Sequence, residues 1–96
     1  MSKVKIGREI EMLGEELTMK CPNNECRIFR DAYIAYKNMA SDRMQLMGYV
    51  SQATMAAIER QIVKTVAKLY DMYHHNDVIR TFVKKNQAKL TERVLS

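Results

Sequence analysis

Only three glycines and one proline punctuate these 96 residues, and that scarcity restricts the fold more than any other feature of the chain. A multi-stranded sheet needs a turn every roughly 8 to 12 residues, built from residues that tolerate or pre-set unusual backbone angles. Four such residues cannot supply those turns, so an all-β fold is excluded. The apolar fraction is mostly Ala, Ile, Leu and Val with eight Met and no Trp, and a set so rich in Ala, Leu and Met favours helices. The length suits one domain, residues 1–96, and a domain of this size buries only about 60 to 65% of the surface its unfolded chain exposes. A thin, all-helical core is expected.

Apolar spacing divides the chain into four amphipathic segments. Ile6, Ile10, Leu13 and Leu17 form a narrow stripe on a short helix over about 3–19, with Gly7 and Gly14 off the stripe, each costing about 1 kcal/mol relative to Ala. Pro22 biases Cys21 away from helical angles, and Asn23 or Asn24 can cap a second helix over about 24–47. That helix carries Phe29, Tyr33, Tyr36, Ala40, Met44 and Met47 on one stripe, widened by Ile28, Ala32, Met39 and Leu46. Gly48 and Ser51 place a turn before a third helix over about 52–75, whose stripe is Met55, Ile58, Ile62, Val66, Leu69 and Tyr73. Asn76 or Asp77 can cap a last helix over about 77–94, with Val78, Ile79, Phe82, Val83, Leu90 and Val94 inward. The predicted architecture is a three- to four-helix bundle built on a long antiparallel hairpin of helices two and three, completed by oligomerisation.

Charge and cysteine content narrow the setting. The longest apolar run falls far short of the ~20 residues a membrane-spanning helix needs, and Gly7, Arg8, Glu9 and Glu11 stand where a signal peptide would carry its apolar stretch. A cytoplasmic location, in the cell or in a host cell, is expected, with Cys21 and Cys26 as thiols. The net charge is +5, and the 76–96 segment holds five basic residues, Arg80, Lys84, Lys85, Lys89 and Arg93, against Asp77 and Glu92. Those five cations are the candidate contacts for phosphate or nucleic acid, set against the ordinary use of Lys and Arg to keep a helix solvated.

Chemistry-bearing residues are few. Cys21 and Cys26 in a C-x4-C spacing, with His74 and His75, supply the ligand types of a zinc site, although adjacent histidines seldom bind one metal. Cys26 would fall in the first turn of helix two, where the helix dipole lowers a thiol pKa. Cys26, His74 and Asp77 are nucleophile, base and acid by residue type only, and no catalytic or nucleotide-binding motif is present. Neither an enzyme nor a cofactor is expected.

Tyr33, Tyr36, Met44, Met47 and Tyr49 are the candidate protein interface, because Tyr and Met are enriched where chains meet and helix two is apolar on more than one side. The expected function is that of a small non-enzymatic binding protein, an oligomeric adaptor, regulator or inhibitor. Its expected partners are a second copy and a larger protein or nucleoprotein complex, with no membrane involved. A nucleic-acid-binding protein using the basic last helix is the alternative, and an oligomer binding a small ligand such as a nucleotide between chains is the third reading.

Overall fold

A computed structural model describes residues 5–90 of the chain. Four helices follow in order: α1, Arg8–Met19; α2, Asn24–Leu46; α3, Gln52–His75; and α4, Asp77–Lys85. Among the described residues there is no strand, and no helix is long and apolar enough to cross a membrane. The fold is an all-α bundle whose most extensive contact is the α2–α3 hairpin, with α1 and α4 packed against it.

Each boundary has a local cause. Gly7 precedes α1 in extended conformation, and its amide donates to the Tyr70 hydroxyl at 2.8 Å. The helix therefore starts after Gly7, later than the expected Lys3, with the chain entering it already tied to α3. Lys20 is extended ahead of Cys21-Pro22, and the Asn23 side chain then accepts from the Cys26 amide at 2.9 Å to open α2. The turn after α2 uses Gly48 at φ +85, a left-handed angle that costs a residue with a Cβ about 1 kcal/mol or more. Ser51 caps α3 by accepting from the Thr54 amide at 3.2 Å.

Asn76 separates α3 from α4. Its amide donates to the Met72 carbonyl at 3.1 Å, finishing α3, while its side chain accepts from the Ile79 amide at 3.0 Å, starting α4. The last helix was expected to continue to about Val94, but Asn86 interrupts it. The Asn86 side-chain amide donates to the Phe82 carbonyl at 2.9 Å, the kind of local bond by which Asn competes with a helix ladder. Helix resumes at 87 and runs to 90, the last described residue, and Val94 lies outside the described residues.

The core lies wholly at one end of the hairpin. Ile10, Leu13 and Leu17 of α1 meet Cys26, Phe29, Ala32 and Tyr33 of α2, Leu69 of α3, Ile79 and Phe82 of α4, and Leu90. Ile62 and Val66 are also buried on α3. Gly14, expected to lie off the apolar stripe as a mere cost to α1, is buried instead, with the Tyr33 ring resting on it. A Cβ there would fall far inside contact distance of three ring carbons, so α1 and α2 approach as closely as they do because residue 14 has no side chain.

Beyond this core the hairpin continues alone. From residue 34 to the end of α2, and from the start of α3 to residue 61, no residue is buried. The stretch on α2 projects about 20 Å at 1.5 Å per residue. The molecule measures 45 × 28 × 24 Å, and its radius of gyration of 14.5 Å exceeds the ~12.5 Å of a compact chain of this length.

Candidate protein interface

The projecting arm ends in four exposed apolar residues, among them Tyr49 and Met44, the two most exposed large apolar side chains of the described residues. Tyr49 is 86% exposed, Met44 73% and Met47 52%, with Leu46 beside them. All four lie within six residues of one another at the tip, where α2 ends at Leu46 and the turn that follows contains Gly48 at positive φ. Behind them the two helices are held in register by an ion pair, Arg43 Nε to Glu59 Oε1 at 3.0 Å. Met55, Ala56 and Ile58 on α3 and Met39 and Ala40 on α2 are half-buried between the arms.

The tip is also nearly free of charge. Asp42 and Arg43 are the only charged residues from 38 to 58, about a tenth of the segment, where a solvated helical surface normally carries about 25–35%. Four of the chain's eight methionines fall in the same segment. Met adapts its shape to a partner at small cost, and Tyr offers a broad apolar ring with a polar end.

Two of the five predicted interface residues belong elsewhere. Tyr33 is 1% exposed, sealed under α1, and its hydroxyl donates to the Glu15 carboxylate. Lys37 bonds the same Glu15 oxygen at 3.1 Å, so the pair of helices is clasped by a tyrosine and a lysine on one carboxylate. Tyr36 is half-buried against the core. Periodicity alone put Tyr33, Tyr36, Met44 and Met47 on one stripe, but the same stripe is core at one end and surface at the other.

Burial, with the Glu15 hydrogen bond and charge second, holds the Tyr33 phenol well above its ordinary titration range. Because the folded value exceeds the unfolded value of about 10, the neutral phenol's contribution to stability is complete below about pH 10. It is lost as pH rises through the folded pKa. Urea unfolding at a series of alkaline pH values should show stability falling above pH 10, and Tyr33→Phe should flatten that decline. An equally steep decline in Tyr33→Phe would assign it to other groups.

The basic residues of the last segment do not form one face. Arg80 and Lys84 line a cleft with His74, whereas Lys85 lies in a different groove with Lys20, Pro22 and Phe82. Lys89 turns back to α1, its Nζ 2.9 Å from Oε1 of the buried Glu16. It is therefore a structural cation, and Arg93 falls outside the described residues. Nothing in the sequence marks Glu16 as buried, since it follows Glu15 in an apparently solvated run.

The cysteines sit where the α1–α2 connection enters α2, Cys26 buried and Cys21 half-buried, both as free thiols. Burial raises the Cys26 pKa, outweighing the lowering by its bond with Asn23. The expected activation by the helix dipole is thus reversed, because the thiol faces the core and not solvent. His74 and His75 lie at the end of α3, and among the described residues no three His, Cys, Asp or Glu side chains gather as metal ligands. Compared with protein-family models, with curated protein sequences and with solved structures, the chain matches none of them.

Proposed function

We propose that this protein is a non-enzymatic interaction module that pairs with a second copy of itself through the tip of the α2–α3 hairpin. As a dimer it serves as an adaptor, regulator or inhibitor of a larger assembly. The observation that carries this reading is the exposed group Met44, Leu46, Met47 and Tyr49 at the end of an arm without a core.

Charge favours a second copy as the occupant. The chain is +5 overall, so two copies repel through most of their surface, but the tip carries one acid and one base and opposes its own image without penalty. An acidic or basic partner would find almost nothing there to attract it. Two hairpins laid side by side about a two-fold axis form a four-helix bundle, in which each arm supplies the core the other lacks. Two helices each about 10 Å wide and about 20 Å long present a corrugated face whose accessible area is of the order of the ~800 Å² per partner that stable interfaces bury.

Light scattering coupled to size exclusion tests the reading. The native chain should run at about twice its 11.2 kDa mass, and a Met47→Lys, Tyr49→Ala variant should run at the mass of one chain with its helical circular dichroism intact. A native protein that stays monomeric at tens of micromolar concentration, or a variant that still dimerises, would refute it.

A further inference from the structure

The end of the molecule opposite the tip carries a second, differently built surface. The cleft where α3 gives way to α4 has a volume of about 360 Å³ and is lined by Tyr73, His74, Arg80, Val83, Lys84 and Gln87. Arg80 and Lys84 are one helical turn apart, so both cations reach the same mouth. Neither takes part in an ion pair among the described residues, in contrast to Lys37, Arg43 and Lys89. No carboxylate lines the cleft. The His74 ring is fixed by its neighbours, stacked on Tyr70 with ring centres 6.0 Å apart and edge-on to Tyr73 at 5.3 Å.

We propose that this cleft binds a phosphoryl group, with Arg80 and Lys84 as the charged contacts and the His74 ring and the Gln87 amide as further hydrogen-bond donors. An arginine supplies paired N–H groups matched to phosphate oxygens and a lysine supplies a mobile point charge. The Asn76 break aims the end of α3 across α4, and this brings a histidine from one helix to two cations of the next. Glu9 is the carboxylate whose charge acts on Tyr73, and it does not line the cleft. The phosphoryl group can be that of a free polyphosphate or of a nucleic-acid backbone. The site lies about 33 Å along α3 from the tip, so its occupation is independent of whether the arms pair.

The test is calorimetric titration of the full chain with inorganic pyrophosphate, together with a fluorescence assay on a mixed-sequence DNA duplex, both at pH 7.5. Arg80→Ala with Lys84→Ala should weaken binding at least tenfold. Lys85→Ala, in the other groove, should change it less than twofold, and Arg80→Lys, which keeps the charge but not the paired N–H groups, should weaken it by less than the double variant does. With two phosphates neutralised per site, raising salt from about 50 to 200 mM should weaken duplex binding about tenfold. Pyrophosphate binding without duplex binding assigns the site to a free polyphosphate, and the converse assigns it to a nucleic-acid backbone. Failure of both probes to bind at 50 mM salt would overturn the proposal. So would a Lys85→Ala loss as large as that of Lys84→Ala, since that would mean a diffuse positive field. All these side chains are exposed, so unchanged melting temperatures should accompany each variant.

Discussion

Gly14→Ala should destabilise the fold by about 2–3 kcal/mol, although the same change in an exposed helix would stabilise it by about 1 kcal/mol. The added methyl has no room, because the Tyr33 ring occupies its place. Tyr33 cannot simply withdraw. It is 1% exposed, and its hydroxyl is bound to Glu15, the residue after Gly14 on α1. Either α1 lifts from α2, exposing part of Ile10, Leu13 and Leu17, or the ring leaves its rotamer and its carboxylate partner. For a chain of about this size, 2–3 kcal/mol lowers the melting temperature by roughly 10–20 °C. Thermal and urea unfolding would measure it. Gly14→Ala combined with Tyr33→Leu should cost clearly less than the sum of the two single changes, because the smaller side chain relieves the overlap. A neutral or stabilising Gly14→Ala would show that the two helices do not approach this closely.

Phe29→Ala should cost about 3–5 kcal/mol, whereas Met44→Ala, on the same stripe of the same helix, should cost less than about 0.5 kcal/mol. Phe29 is fully buried between α1 and the hairpin, so its removal leaves a cavity that α1, α3 and α4 close only in part. Met44 loses no packing within its own chain because 73% of its surface is already exposed. Urea unfolding at low micromolar or lower concentration, where association is minimal, isolates the intrachain effect. At high concentration Met44→Ala should acquire a cost, since its methionine then contributes to the paired arms. Equal costs for the two substitutions at low concentration would mean that the arm is packed within its own chain.

These contrasts give the molecule two differently built ends. The α1–α2–α4 end is packed and clasped by Tyr33, Lys37 and Lys89 on the carboxylates of Glu15 and Glu16. The tip has only the hairpin contact and the Arg43–Glu59 pair. A half-exposed pair of that kind, still screened by solvent, contributes about 1 kcal/mol. Most of what the tip needs for rigidity must come from outside the chain, which is consistent with the proposed pairing.

Helix class and helix boundaries follow from local rules, and the residues that impose them act on their immediate neighbours. Pro22, Asn23, Gly48, Ser51 and Asn76 each end or cap a helix by a bond or a steric clash within about four residues. Apolar periodicity likewise located the buried stripe of each helix, around Ile10, Leu13 and Leu17, Phe29 and Tyr33, Ile62, Val66 and Leu69, and Ile79 with Phe82. Ile28, Leu46 and Val78, read on the same faces, are exposed, and Val94 lies outside the described residues. Burial along one face depends instead on which helices lie beside it, and no local rule contains that. Tyr33 and Met44 have the same helical phase, yet α1 covers one and nothing in the chain covers the other. The same reason explains Gly14, which looked like a flaw in α1 until Tyr33 was placed against it, and Lys89, which looked like a solvated cation until Glu16 was found beneath it 73 positions earlier. The sequence by itself determined the helical class, the breaks at Pro22, Gly48 and Asn76 and the phase of each apolar stripe, since those depend on bonds and spacings a few residues long. Only the tertiary structure decided which stretch of each face is core, which is a candidate interface and which cations remain available, because these depend on contacts between residues far apart in the chain.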